Sequence, residues 1–468
     1  MSPRPPPKPR TFDRSIVEGP IAGAVWKLAW PTMLQNVIGG LQGIIDHIMV
    51  GNFVGFTGNA AIGVSWQIFI VVMVFIGSLF TGMGVLVARF TGAGEADKVN
   101  RTVYQAFLTA FALSVGVLAP VGYFAAPGLL GVVNATPAVQ AEALPYLRTL
   151  FVYSFGMMVF FMLGGALRSA GDAKTPLRLG IGMTVLNILL NVVLIRGLGP
   201  IPAFGTTGAA MGTVIAGGVM AIVAGVALFS GRWVVAFHRG MNIRPDLGII
   251  RQLFKFGLPA GFQGIAMNVG GVLLLRFIGS LERSAEAQAA YAVGYTELFS
   301  LITWSSVGLM GATAAVAGQN LGAGHPDRAV EGARVAARLG LSVAAIVGAL
   351  FWLIPRPLLL VFGMDDPIVL DVGVQLLAFL SASGFFITVA LVYTGGLQGT
   401  GDTRGPLYIS VVSQLILPLG LCALIQAVWG LQAYHIWSAI VLGHMVRSVL
   451  SVIRFRQGEW RNIEVAID

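Results

Sequence analysis

The stretch Pro31–Gly51, PTMLQNVIGGLQGIIDHIMVG, sets one carboxylate, Asp46, deep inside an apolar run. At helical spacing Gln35, Gly39, Gln42 and Asp46 fall on a single face, with Asn36, Gly40, Gly43 and His47 on the adjoining stripe. Met33, Leu34, Val37, Ile38, Leu41, Ile44, Ile45 and Ile48 suit lipid or packed neighbours. A carboxylate in hydrocarbon costs ~2.5–3.5 kcal/mol or more, so such a group usually faces an internal cavity and marks a pathway. The chemistry open to it is reversible capture of a proton or a cation. The alternative is packing alone, with the Asp capped by a neighbouring helix.

Other polar groups stand at membrane depth. Glu297, within AVGYTELFSLITW, is the other acid well inside an apolar segment. It could titrate or counter a cationic compound; an internal hydrogen bond or a place near the interface is the competing reading. Tyr291 and Tyr295 lie one turn apart, which makes Tyr295 a candidate neighbour of Glu297 in a cavity wall. Gln263 matches Gln35 at an offset of 228 residues, and Asn268 is a weaker candidate of the same kind. Gln35, Gln42, Gln263, Asn268, Tyr295 and Glu297 are thus the candidate cavity residues. His47 points about 100° away from Asp46, and His444, in the last span, reads as a packing histidine. Cys422 is the single cysteine, so no intramolecular disulfide forms, and no Cys/His cluster reads as a metal site.

The elements that must position these groups are membrane spans. Of 468 residues 56% are hydrophobic and 10% charged, against about 25% charged in a soluble domain. Twelve segments are long and apolar enough to cross: 25–51, 60–88, 102–125, 145–169, 177–196, 207–230, 256–280, 288–316, 336–355, 370–398, 406–428 and 434–454. Residues 1–20 read as a disordered basic tail without a cleaved signal peptide. With the N-terminus inside, 24 Lys and Arg, Arg447 among them, fall on the cytoplasmic side or at helix ends. Five fall outside: Arg148, Arg196, Arg276, Arg283 and Arg356. Both termini are therefore expected in the cytoplasm, and the net charge of +9 is a topology signal, not a sign of nucleic acid binding.

The chain also repeats. GAGEADK at 92–98 answers GAGHPDR at 322–328, and LRSAGDAKTPL at 167–177 answers LQGTGDTRGPL at 397–407, both offset by 230; KLAWP at 27–31 answers KFGLP at 255–259, offset by 228. Six spans per half give two parallel lobes, 21–230 and 256–455, related by an axis along the membrane normal. A linker at 231–255 joins them, its end either a short surface helix or plain polar chain, and a cytoplasmic tail follows at 456–468. Asp97 with Lys98, Asp172 with Lys174, Asp327 with Arg328 and Asp402 with Arg404 read as caps and tight turns at helix junctions.

Twelve spans, parallel halves, Asp46 within IIDHIMVG, the two GAG-x-x-D-[KR] loops and the AGDAKTP loop together resemble the multidrug and toxic compound extrusion (MATE) family, most closely its DinF-like prokaryotic branch. The resemblance covers nearly the whole chain after about residue 15. It implies an all-α polytopic protein of the MATE/MOP transporter fold, with two pseudo-symmetric six-helix lobes. It also implies an antiporter of the inner membrane exporting amphipathic, often cationic drugs against H⁺ or Na⁺, with no cofactor. Carried over residue by residue, the family's cation site is Asp46, Asn187 and Asn191 of NILLNVVLI, the backbone carbonyl of Ala209, and Thr213. Pro31 matches a proposed bend point. Some members carry a second carboxylate where Asn191 stands, so this site holds one formal negative charge. Several oxygens remain for Na⁺, and one titratable group is enough for H⁺, so the coupling ion stays open. The acid that another branch carries in the seventh span has no counterpart near Met267 and Asn268.

A flippase for a lipid-linked substrate is the alternative within transport; it would want a strongly basic cavity, and few cations stand inside the spans. A membrane enzyme would need motifs such as H-E-x-x-H or G-x-S-x-G, which are absent. The expected partners are the drugs and the lipid bilayer, with a monomer as the working unit.

Overall fold

The computed structural model describes residues 12–133, 135–231, 233–237, 241 and 244–467. Arg4, Lys8, Arg10, Arg232 and Arg239 of the charge asymmetry lie outside them, as do residues 1–11 of the tail.

Among the described residues the chain forms twelve long helical segments. They are α1 (Ile21–Phe53), α2 (Phe56–Ala93), α3 (Ala96–Val132), α4 (Pro137–Val152 and Phe155–Ser169), α5 (Lys174–Arg196) and α6 (Gly205–Phe229). The second half supplies α7 (Leu247–Gly279), α8 (Ser284–Gly322), α9 (Pro326–Leu353), α10 (Pro367–Thr400), α11 (Arg404–Val428) and α12 (Ala433–Gln457). Ten are apolar spans by length and hydropathy, and α4 is a span bent by 53°. The remaining one, α1, is long enough at 33 residues. In lipid every backbone N–H and C=O must be paired within the segment, which is why the apolar sequence goes to helix throughout.

The irregularities have local causes. α4 breaks at Tyr153 and Ser154, where the buried Ser154 hydroxyl turns to Phe151 O at 3.0 Å and to Ser114 Oγ at 2.9 Å. Ser114 opens a π-helical turn, Ser114–Leu118, inside α3. Similar π turns occur at Ala292–Leu298 in α8 and Val411–Ile416 in α11. α10 lies so close to α8 that a Cβ on Gly395 or Gly399 would overlap the backbone of Met310 or Ala314.

Two compact units emerge. One comprises Val37–Gly261 with residues 12–14 and 465–467, the other Ser15–Asn36 with Phe262–Glu464. The lobes expected to begin at 21 and 256 therefore change over inside α1 and α7, shortly after Pro31 and Pro259. In the second unit the first half of α1 is held at α8: Asn36 Nδ2 donates to Trp304 O at 3.2 Å, and Gly308 lies against Met33. In the first unit the start of α7 packs with Gly257 against Ser78 and Leu79 of α2.

Two further expectations change. Residues 15–20 are not disordered: Ser15–Glu18 is a helical turn with Ile16 and Val17 buried. Arg328 donates to Gly19 O at 2.7 Å and Asn320 to Ile16 O at 3.3 Å, so polar groups of the second unit fix this segment. At the linker no separate surface helix forms among the described residues; α7 runs unbroken from Leu247. Residues before it are tied to α3, through Arg101 to Asp246 at 2.7 Å and Gln105 to Arg244 O at 2.8 Å. The junction acids pair differently from their sequence neighbours. Asp402 binds Arg454 at 2.8 Å, Asp327 binds Arg461 at 3.0 Å, and Asp172 caps Thr175 N at 3.0 Å.

Candidate functional site

Asp46 lies in the second half of α1, half-buried, and faces α5. Asn191 Nδ2 donates to Asp46 Oδ1 at 2.7 Å. Asn187, one turn earlier on α5, is fully buried beside it. Its amide has two orientations, which share out the hydrogen bonds differently. In one, Asn187 Oδ1 accepts from Asn191 Nδ2 at 3.3 Å while Nδ2 donates to Thr213 Oγ1 at 3.2 Å. In the other, Asn187 donates to Asp46 Oδ1 at 3.2 Å and accepts from Thr213 N and Oγ1 at 3.2 Å. The second turns both the oxygen and the nitrogen of the amide toward suitable partners. In the first orientation the Thr213 hydroxyl donates its proton to Ala209 O at 3.1 Å.

The helix register explains the cluster. Asn187 and Asn191 are i and i+4 on α5, and Ala209 and Thr213 are i and i+4 on α6, so each helix offers two groups on one stripe. Asp46, Asn187, Asn191, Ala209 and Thr213 therefore come together. Asn191 Oδ1 is buried and has no hydrogen-bond partner. Against it lies Gly212, where any Cβ would overlap Asn191 Oδ1. Gly212 is a site residue that sequence reasoning missed; its position between Ala209 and Thr213 in the GAA-x-x-T stretch was the available signal.

Gln42 joins this group. It is buried, accepts from Thr184 Oγ1 at 2.9 Å and approaches Asn187 within 3.2 Å. Sequence reasoning also missed Thr184, although it lies three residues before Asn187 on the same helix. Tyr146 of α4 is buried within electrostatic reach of Asp46, and no pattern in the chain pointed to it. His47 turns away to Asn59 Oδ1 at 2.5 Å, as its place on the adjoining stripe requires.

The remaining candidates belong to the second unit. Gln35 is half-buried in the part of α1 that packs there. Gln263 is buried, donates to Ser410 Oγ at 2.8 Å and accepts from Gln398 Nε2 at 3.0 Å. Asn268 donates to Gly264 O of its own helix at 2.9 Å. Tyr295 stacks on Tyr291 with ring centres 4.8 Å apart, and Tyr291 in turn stacks on Trp437 at 6.2 Å. Glu297 is half-buried in the π-helical turn of α8. A separate apolar pocket of about 840 Å³ in the first unit is lined by Phe107, Val152, Phe155, Met211 and Ile215, and none of these candidates lines it.

The helix order, the repeat and the carboxylate cluster lead to one family, and the MatE family model matches residues 31–193 and 259–424. The chain belongs to the MATE family. It is similar to a probable multidrug resistance protein NorM of Thermotoga maritima, 25% identical over 93% of this chain and 92% of that protein. It is also 26% identical to the multidrug resistance protein MdtK of Pectobacterium atrosepticum, over 92% of this chain and 94% of that one. The fold matches a solved outward-facing multidrug resistance MATE transporter of the MOP superfamily with a TM-score of 0.88 at 20% identity, over 98% of this chain and 100% of the other. The bacterial relatives agree with the prokaryotic, DinF-like placement. As a member of this family the chain is a multi-pass membrane transporter and not an enzyme.

Proposed function

We propose that this MATE protein is a secondary active multidrug efflux antiporter of the inner membrane. It exports amphipathic or cationic compounds in exchange for H⁺ or Na⁺ by alternating access, works as a monomer, and keeps both termini in the cytoplasm. The observation that supports the coupling is the pair of amides around Asp46. Asn187 and Asn191 can turn N–H groups toward a bare carboxylate, at 3.2 and 2.7 Å. Turned over, the same side chains offer carbonyl oxygens to a bound cation or to the proton of a neutral carboxyl group. Na⁺ would find Asp46, both amide oxygens, Thr213 Oγ1 and the Ala209 carbonyl as hard oxygen donors, and H⁺ needs Asp46 alone. Gln35, Gln263, Asn268, Tyr295 and Glu297 are the substrate-contact candidates, and Pro31 a bend in α1 that links ion occupancy to helix shape.

The drug-export reading rests on the multidrug-resistance relatives. The flippase alternative wants a strongly basic cavity. One intramembrane cation, Arg447, proves to be buried rather than placed at a helix end, which leaves that alternative weak but standing. Uptake of a fluorescent cationic dye into everted vesicles, with ΔpH and ΔNa⁺ imposed one at a time, tests the proposal. One gradient should drive dye movement at least about tenfold above the no-gradient rate. Indifference to both gradients would remove the antiport reading.

A further inference from the structure

Charge counting along the sequence puts Arg447 on the cytoplasmic side or at a helix end. It instead lies inside α12, fourteen residues from Ala433 and ten from Gln457, and is 1% exposed. At 1.5 Å per residue that is roughly 15 Å of helix from the nearer end. A guanidinium cannot discharge itself by losing a proton under ordinary conditions, so burial leaves its charge in place. Its Nε and Nη1 have no hydrogen-bond partner, and among the described residues no carboxylate pairs with it. The titratable groups close enough to feel its charge are Tyr295 and His444, neither of which supplies a permanent negative charge. His444, one turn before it, is engaged by Ser383 Oγ at 2.5 Å and stacks on Phe299. Ser451, one turn after it, is fully buried with an unpartnered hydroxyl.

A buried, unpaired cation is strongly unfavourable unless something negative sits with it, and the idle Ser451 hydroxyl shares its helix face at i+4. We propose that the second unit binds a small monovalent inorganic anion, a halide such as chloride, against Arg447. Guanidinium N–H groups and the Ser451 hydroxyl are its donors, and the Tyr295 and His444 rings form the wall. A halide suits the place because it needs only N–H and O–H donors, carries one charge, and has no substituent to accommodate within a close-packed helix bundle. The inference concerns no residue of the Asp46 cluster and shares only Tyr295 with the candidate substrate contacts, and its test involves neither drug nor gradient.

The test uses the full-length protein in detergent, with no drug and no gradient. Thermal unfolding is followed in sodium chloride, sodium bromide, sodium acetate and sodium gluconate at equal ionic strength. Chloride and bromide should raise the Tm saturably by ~3–5 °C over gluconate, as expected of a site that binds the folded state alone. Arg447→Gln should remove that increment. In crystals grown with bromide, an anomalous peak should stand within hydrogen-bonding distance of the Arg447 guanidinium. The diffraction measurement needs only the wild-type chain, so it decides the matter even where Arg447→Gln does not fold. A bromide map with no anomalous peak at Arg447, or an undiminished chloride effect in folded Arg447→Gln, would overturn the proposal. So would protection by acetate alone, because the ligand would then be a carboxylate.

Discussion

The two halves repeat each other in their loops and part company in their polar interiors. In the first unit a carboxylate, Asp46, is surrounded by amide and hydroxyl groups from α5 and α6. Counting along the repeat, Leu274 stands opposite Asp46, and Leu417 and Leu421 stand opposite Asn187 and Asn191. The second unit instead buries a cation, Arg447, among an imidazole, a phenol and serines. The junction loops answer to helix ends and tight turns, which both halves need. The intramembrane polar groups answer to what each half must hold, and there duplication left no obligation to match.

That contrast can be broken by making the first unit resemble the second. Asn187→Leu with Asn191→Leu gives α5 the side chains that α11 carries. Two hydrogen bonds to a charged group are worth about 1.5–3 kcal/mol each, and both stabilise the bare carboxylate, so with H⁺ as the coupling ion the double variant should bind it ~100-fold or more tightly. An ion titration of driven dye efflux measures this, and an unchanged half-saturating concentration would mean that the amides do not serve Asp46. Gly212→Ala is the next largest change. The added methyl collides with Asn191 Oδ1, so Asn191 must swing out of reach of Asp46 while Asp46 itself stays intact. Loss of one such bond to the bare carboxylate predicts a roughly tenfold lower half-saturating H⁺ concentration in the same titration, with normal membrane insertion.

The spans and the choice of Asp46 were legible because both follow from the cost of polar groups in hydrocarbon. The apolar lengths anticipated the helices, though not their true ends, which extend to Phe53, Ala93 and Val132 beyond the most apolar cores. The amide and threonine partners came from the family pattern; composition and spacing alone left Asp46 with a packing reading as well. Other features depend on which faces meet across hundreds of residues. The sequence does not say that Tyr146 comes near Asp46, that Thr184 holds Gln42, or that α12 turns Arg447 inward. Arg447 illustrates the limit well: charge counting places Lys and Arg by their distance from apolar segments, and it has no means of seeing a helix face that neighbours cover. The changeover of units inside α1 and α7 was hidden for the same reason, because it is set by close contacts such as Met33 with Gly308.

Coupled export, as proposed, rests on Asp46. Asp46→Asn keeps the size of the side chain and its ability to hydrogen-bond to Asn191, and removes the charge that a proton or Na⁺ would meet. Purified wild-type and Asp46→Asn protein, reconstituted side by side in proteoliposomes, should be compared for dye export under an imposed gradient, with dye binding measured on the same preparations. The variant should insert and bind dye, yet export it no faster with a gradient than without. Gradient-driven export at the wild-type rate by Asp46→Asn would contradict this, leaving Asp46 a packing residue and the coupling site elsewhere.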